Sequence, residues 1–300
     1  MALKYIVSFY NFMKLNVSLY IPVYNGESTI KSVLKSTFAL NPGPDEIIVI
    51  NDGSTDNTFA ILKSYKNKIN IINNTSNIGL AASRNLGVLS SKNEDVASID
   101  ADVVVSEDWL KNLYQTKKKF NSALCGGKLI EKYKDKNIYN FWRHVHARQN
   151  PFGEKDIENI NRALAGSNIL VSKTAWKKIR GYNTIYKTHG EDFSFCNKIL
   201  SYGYKISYSG KAKSYHLRDD NLKSLCTAVR KAYIYGAGLK KPSFMRFLQR
   251  SIRHFKNFIL FSIKDLKYLR LVLIYLNFMI FINHVVKEFI GLIKKKSDYA

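Results

Sequence analysis

The 300-residue chain carries 47 Lys and Arg against 23 Asp and Glu, a formal net charge of +24, and is 46% hydrophobic and 13% aromatic. That composition excludes a disordered chain and suffices for one large domain, or a domain with an appendage. The charge asks for an anionic partner, and three scattered cysteines, Cys125, Cys196 and Cys226, argue against a zinc site or disulfide framework and for a reducing intracellular setting.

Lys4 precedes an apolar run over residues 5–13 without a small-residue cleavage site, so a signal peptide is not expected. The patterned chain begins near Lys14, and Met13 is a candidate for the true start. Residues 16–21 (NVSLYI) form an apolar strand that ends at Pro22, followed by a turn at Tyr24, Asn25 and Gly26. Residues 28–39 show helical spacing, with Ile30, Val33, Leu34 and Phe38 on one face. A second buried strand at 45–50 (DEIIVI) runs into the turn-rich 51–56 (NDGSTD), and a helix follows over about 57–66. A strand at 69–72, a helix at 79–89 and a strand at 96–99 complete this half.

Short alternation of helices with apolar strands predicts an α/β fold around a mostly parallel sheet covered on both faces. Ligands of such sheets sit at the carboxyl ends of the strands. Polar clusters fall at those ends: Tyr24 and Asn25, Asn51 and Asp52, Asp100 and Asp102.

The middle is less regular. Residues 133–161 are polar and rich in Lys, Asn and His, as in a mobile loop, which would leave His144 and His146 solvated. A short strand is expected over 165–172, a helix over 191–200, and strands near 204–208 and 211–216. Composition shifts after residue 240: residues 240–296 hold 13 Lys and Arg against 2 Asp and Glu. Inside that segment, residues 271–286 carry no Lys, Arg, Asp or Glu. The run is short for a membrane span and includes Asn277, Asn283 and His284. Basic amphipathic helices on a membrane surface fit better, with Phe255, Phe258, Ile259 and Ser262 beginning the inward face and 294–296 (KKK) at the head groups. Packing on the catalytic domain or on a second copy is the alternative.

Two carboxylates two apart, Asp100 and Asp102, after a buried strand suit a hard divalent cation such as Mn or Mg that bridges to phosphates, although the pair could also be a solvated turn. Asp52 can accept from a nucleobase N–H; Ser54 or Asp56 can cap the next helix.

Four segments then carry a resemblance. Residues 18–25 (SLYIPVYN), 48–58 (IVINDGSTDNT), 77–87 (NIGLAASRNLG) and Asp100 with Asp102 resemble, in order and spacing, the family 2 glycosyltransferases with a GT-A fold. The resemblance covers about residues 14–216. It implies a catalytic domain over 1–239, with a nucleotide-sugar half at about 14–120 and an acceptor half at about 121–239, followed by the helical extension at 240–300. It assigns Pro22, Tyr24, Glu27, Asp52, Arg84 and Asp100 to the nucleotide sugar, with Arg84 near the pyrophosphate and the Asp-x-Asp loop, and Asp102 to the metal. Glu191 and Asp192 resemble the family's Glu-Asp motif, whose acid deprotonates the acceptor hydroxyl in inverting members; Asp192 takes that role, with Glu191 as fallback. Capping of the following helix is the other reading of the pair. Gly166, Ser167 and Asn168 resemble the small-residue strand under sugar and acceptor, or are a close-packed strand. His216 would be a further metal ligand or a structural histidine, and His189 would orient the base or touch the acceptor.

The resemblance thus implies an inverting, Mn- or Mg-dependent hexosyl or N-acetylhexosaminyl transfer from a nucleotide-diphosphate sugar, UDP-linked first, to a glycan or lipid-linked glycan. The polar loop before Ala165 would close over the sugar. Transfer to a polyprenyl phosphate, or a non-catalytic sugar-nucleotide-binding scaffold, are the alternatives. The expected setting is cytoplasmic and peripheral to an anionic membrane face, with a homodimer open. Nucleic acid is not expected, because the excess charge sits in an apolar, aromatic tail rather than in a nucleic-acid module.

Overall fold

A computed structural model describes residues 14–147, 152–236 and 243–294. The expectations for the first thirteen residues, and for Lys295 and Lys296, lie outside them. The described chain separates into two compact units, one holding the chain up to Lys132 and again from 152 to Arg218, the other holding 133–147 and the chain from Asp219 onward.

The first unit is built on eight strands: β1 (Lys14–Val23), β2 (Gly43–Asn51), β3 (Asn70–Asn73), β4 (Asp95–Ile99), β5 (Val103–Val105), β6 (Leu124–Glu131), β7 (Asn168–Ser172) and β8 (Ile206–His216). They form one sheet in the order β3-β2-β1-β4-β7-β6-β8-β5. β3, β2, β1 and β4 are parallel, whereas β7 is antiparallel to both β4 and β6, so the sheet is mixed. The two short strands expected near 204–208 and 211–216 are one strand, β8, whose pairing with β6 shifts register between Gly127 and Lys128.

β1 shows why the sheet is covered on both sides. Every residue from Val17 to Val23 is buried. Odd positions (Val17, Leu19, Ile21, Val23) pack with Val33 and Leu34 of α1 (Ile30–Phe38) and with Trp109, Leu110 and Leu113 of α4 (Trp109–Lys119). On the other face, Tyr20 joins Ala81 and Val88 of α3 (Leu80–Ser90) and Phe195 and Ile199 of α7 (Glu191–Ser201). This is the period of two of a strand buried on both faces. Two short helices, α2 (Thr58–Lys63) and α6 (Lys173–Lys178), fill connections.

The second unit is helical: α5 (Ile138–His146), α8 (Leu222–Gly236), α9 (Phe244–Lys267) and α10 (Leu271–Ile293). Its apolar centre gathers Trp142, Leu225, Cys226, Leu273, Leu276 and Ile280. Here the reading of 133–161 as a mobile loop is corrected. Residues 138–146 are a helix whose N-cap, Asn137, accepts from the Asn140 N–H. The Trp142 indole donates to Asn277 Oδ1 at 2.6 Å. His146 is buried with Nε2 3.0 Å from Asp265 Oδ2, whereas His144 is exposed as expected. Residues 152–164 belong to the first unit and are also packed: Phe152 lies against Tyr208, Ile157 bridges to Tyr208, and Ile160 and Leu164 are buried. Among the described residues 152–164, buried apolar side chains hold the segment against the first unit.

The break in composition at residue 240 and the break in packing at Asp219 differ because they report different things. Charge density rises only after α8, but Leu225 and Cys226 of α8 already pack with Leu273 and Leu276 of α10.

Candidate active site

The carboxyl ends of β1, β2 and β4 and the start of β7 lie on one edge of the sheet, fixed by the pairings Val23–Asn51 and Ile99–Asn168. The loops leaving that edge are joined to one another. The Asp52 N–H donates to the Val23 carbonyl at 2.8 Å, and Asn25 Oδ1 accepts from the Thr55 N–H at 2.8 Å. Glu27 Oε2 accepts from the Asn57 N–H at 2.9 Å while Asp56 Oδ2 accepts from the Glu27 N–H at 3.1 Å. Glu27 therefore ties two loops together, Pro22 is buried within β1, and Tyr24 stands exposed beside them.

Asp52 is 3% exposed. Its Oδ1 accepts from Asn74 Nδ2 (2.8 Å) and the Ile78 N–H (2.9 Å), and its Oδ2 from the Gly79 N–H (3.0 Å). Gly79 has φ of +92°, a conformation that side chains disfavour, and this lets the loop turn its amides onto Asp52 before entering α3. Asp52 shapes the loop that launches the arginine helix.

That helix delivers Arg84, 1% exposed, into the centre of the edge. Nη1 donates to Ser98 Oγ and to the Gly166 carbonyl, both at 3.0 Å. Nη2 donates to Asp100 Oδ1 at 2.8 Å, and Nε lies 3.5 Å from Glu191 Oε1. One guanidinium thus connects β4, the Asp-x-Asp turn, the approach to β7 and the first turn of α7. Gly166 is needed for this approach, because a Cβ there would lie 3.2 Å from Arg84 Cζ and 3.3 Å from Asp192 Cβ. Arg84 is bonded to the Asp-x-Asp turn, its donors face protein acceptors and it has almost no exposed surface.

Glu191 and Asp192, adjacent in sequence, have separate surroundings. Glu191 is 4% exposed against Arg84. Burial, reinforced by Asp192 and opposed by Arg84, raises its carboxyl to about 7. Asp192 is half-buried, its Oδ1 accepting from the Phe193 N–H at 2.7 Å and its Oδ2 facing the Gly166 N–H at 3.4 Å. Of the two, Asp192 is the one open to a ligand. Asp100, raised by burial against the pull of Arg84, has its Oδ1 on that arginine. His189 is half-buried just before α7.

Two strand pairings meet at His216, which lies opposite Val103 of β5 and Glu131 of β6. Its Nε2 is 3.1 Å from Asp102 Oδ2, and its Nδ1 is 3.5 Å from Glu131 Oε1. Burial opposes charge on the imidazole, but Asp102 and then Glu131 outweigh it and raise the group to about 9. Asp102 keeps 41% of its side chain exposed, against 13% for His216 and 5% for Glu131. A carboxylate oxygen and an imidazole nitrogen at an open rim form a donor pair that Mn accepts, and such a cation would compete with a proton on the imidazole. Among the described residues no group of three or more His, Cys, Asp and Glu side chains is gathered around one point, so further oxygens would have to come from phosphate and water.

Asn168 is held by the protein itself. It is 1% exposed and its Oδ1 accepts from the Trp109 indole at 2.6 Å, so it supports the wall behind the site. Ser167 is 7% exposed beside it. Sequence reasoning missed Glu131, Ser98 and Asn74. None belongs to a recognisable motif, although Ser98 precedes the Asp-x-Asp pair on a strand of otherwise apolar character.

Comparison with known proteins accords with this geometry. An O-antigen chain rhamnosyltransferase of Salmonella typhimurium is 29% identical over 218 residues, 67% of this chain and 66% of that protein. A glycosyltransferase of Streptococcus pneumoniae, GlyG, is 26% identical over 50% of each chain, and a cholesterol galactosyltransferase of Borreliella burgdorferi is 28% identical over 65% of this chain and 58% of its own length. The chain thus spans about half to two thirds of these relatives. The crystal structure of S. aureus TarS 1–349 superposes with a TM-score of 0.53 at 18% identity, over 73% of this chain and 66% of that one, which shows a shared fold; the same protein has been solved with UDP-GlcNAc and with UDP. Residues 18–180 match the family model for Glycosyl transferase family 2, and on that match, which runs through the segments that build this edge and covers more than half its length, the chain belongs to glycosyltransferase family 2.

Proposed function

We propose that the chain transfers a sugar from a nucleoside-diphosphate donor, UDP-linked first, to a hydroxyl of a glycan or lipid-linked glycan presented at the cytoplasmic face of a membrane, with inversion at the anomeric carbon. The observation that carries this is the Arg84 hub, which holds Asp100, Gly166 and Glu191 together and leaves Asp192 as the half-open carboxylate at the same edge.

Asp192 removes the acceptor proton as that oxygen attacks the anomeric carbon. The bond from that carbon to the diphosphate breaks, the diphosphate departs with the bonding electrons, and the proton remains on Asp192. Glu191, buried on Arg84, holds the first turn of α7 in place and is not the base. Asp102 and His216 would hold a divalent cation, which when bound counters charge on the departing diphosphate. Asp52 and Tyr24 border the space for the nucleoside, and Arg84 is a positioning residue.

A screen of UDP-, GDP- and dTDP-sugars for release of the nucleoside diphosphate with Mn present tests the donor. Asp102→Asn should lose metal-dependent turnover. Asp192→Asn should keep donor binding and lose transfer; full transfer by that variant would overturn the base assignment.

A further inference from the structure

The second unit buries a set of polar side chains beside its apolar centre. α9 and α10 bury Arg250, His254, Asp265, Asn277, His284 and Glu288. These groups satisfy one another and their neighbours: Glu288 accepts from Arg230 and Arg250, each at 3.1 Å, Asn277 donates to Asp265 at 2.8 Å, and the His254 and His284 rings meet at 3.2 Å. Many of the apolar residues of these two helices point the other way. Leu248, Ile252, Phe255 and Ile259 run along α9 at steps of three and four, and Val272, Tyr275, Phe278 and Ile282 do so along α10, all exposed. Of 26 exposed large hydrophobic side chains among the described residues, 20 lie between Phe244 and Ile293. A soluble surface does not concentrate them so.

Charge identifies the occupant. The only acids between residues 243 and 294 are Asp265 and Glu288, 0% and 6% exposed and both paired inward. Arg253, Lys256, Lys267, Lys287 and Lys294 are exposed. Among the described residues the outer surface of these helices therefore offers cations beside an apolar stripe and no carboxylate. A second copy would set cation against cation. An acidic bilayer accepts the stripe at the acyl boundary and the cations at its head groups. Orientation follows from the buried face. With 23 residues α10 is about 35 Å long and is apolar enough to cross a membrane. Its inner face, however, is bonded to Arg230 of α8 and to Arg250 and Asp265 of α9, so crossing would draw those charges in as well.

We propose that the outer faces of α9 and α10 form a docking surface for an anionic lipid bilayer and lie in its interfacial plane. This deepens the membrane element of the proposed function and is independent of the transfer chemistry.

The test is sedimentation of the full chain with vesicles of phosphatidylcholine alone and of phosphatidylcholine with about a quarter phosphatidylglycerol. Strong binding to the anionic vesicles, weakened by salt, is expected. A variant combining Ile252→Glu, Ile263→Glu and Val272→Glu should bind more than about tenfold more weakly while its circular dichroism stays that of the parent. A second variant, Arg253→Gln with Lys256→Gln and Lys267→Gln, should lose the preference for phosphatidylglycerol and covers the case in which the first misfolds. The inference is overturned if the folded chain stays in the supernatant, or if both variants bind like the parent. It is likewise overturned by a vesicle-free dimer that the glutamate variant dissociates, which would give the face to a second copy, and by retention through alkaline carbonate extraction, which would mean a span. Vesicle binding without any donor hydrolysis supports this inference and overturns only the transfer reading.

Discussion

His216 lies between two carboxylates because β5 and β6 both pair with β8 at that residue. A ligating imidazole works best when its second nitrogen is held by an acceptor, which fixes the ring and raises its basicity. Glu131, buried 3.5 Å from Nδ1, has that place. Glu131→Gln should therefore lower Mn affinity in the presence of UDP by about ten- to a hundredfold, read by the signal of free Mn in paramagnetic resonance, with the melting temperature little changed. A purely structural role would shift the melt and leave Mn affinity alone, and that outcome would remove Glu131 from the site. In the sequence Asp102 stands out as half of an acid pair after an apolar strand, whereas His216 is singled out only through the family resemblance. Glu131 was not legible, because its strand passes through Gly126 and Gly127 and changes register at Lys128, which erases the alternation that marks a strand. Arg84 was legible as important but not in its orientation, since its acceptors, Ser98 and the Gly166 carbonyl, come from distant chain.

At the level of elements, the nucleotide-side half was readable because parallel strands buried on both faces are continuous apolar runs, and β1, β2 and β4 lie within about two residues of their expected limits. The failure at α5 is instructive. Ile138, Phe141, Trp142 and Val145 recur at helical spacing behind Asn137, a good N-cap, but the flanking polar residues hid the stripe. What binds the elements of the edge is Arg84. Arg84→Met would leave Asp100 and Glu191 without their cation and should cost about 3–5 kcal/mol in denaturant unfolding. The loss should grow with pH. Arg84 pulls down the Glu191 carboxyl, which burial and Asp192 already raise to about 7, and removing it raises that group further above its unfolded value. A carboxyl raised in the fold contributes most below its unfolded value and less as pH rises through the folded one, so the variant should lag its parent more at pH 8 than at pH 6. An equal deficit at both values would show that Glu191 does not feel the arginine.

For the whole molecule, composition told of an anionic partner but not of how the charge is arranged. Its concentration after residue 240 was visible, whereas the burial of both acids of that stretch, Asp265 and Glu288, depends on packing that no local pattern records. That buried polar centre has a consequence for acid stability. Burial, aided by His284 and by Arg230, Arg250 and Arg253, lowers His254 to about 3; burial, with Arg230, lowers His284 to about 4 against a hydrogen bond that the ring donates to the Cys226 carbonyl. Both are neutral in the fold, whereas both bind protons near pH 6.5 once unfolded. Groups lowered in this way contribute stability above the unfolded value and lose it as pH falls toward the folded one. The helical unit should therefore weaken from about pH 6.5 toward pH 4, by up to about 1.4 kcal/mol per pH unit for each histidine. Hydrogen exchange corrected for intrinsic rates should show α8, α9 and α10 losing protection in that window before β1 and β4 of the first unit do. His254→Gln with His284→Gln should flatten the dependence. Protection of α10 unchanged between pH 7 and pH 5 would mean that the two rings are not held neutral by their burial.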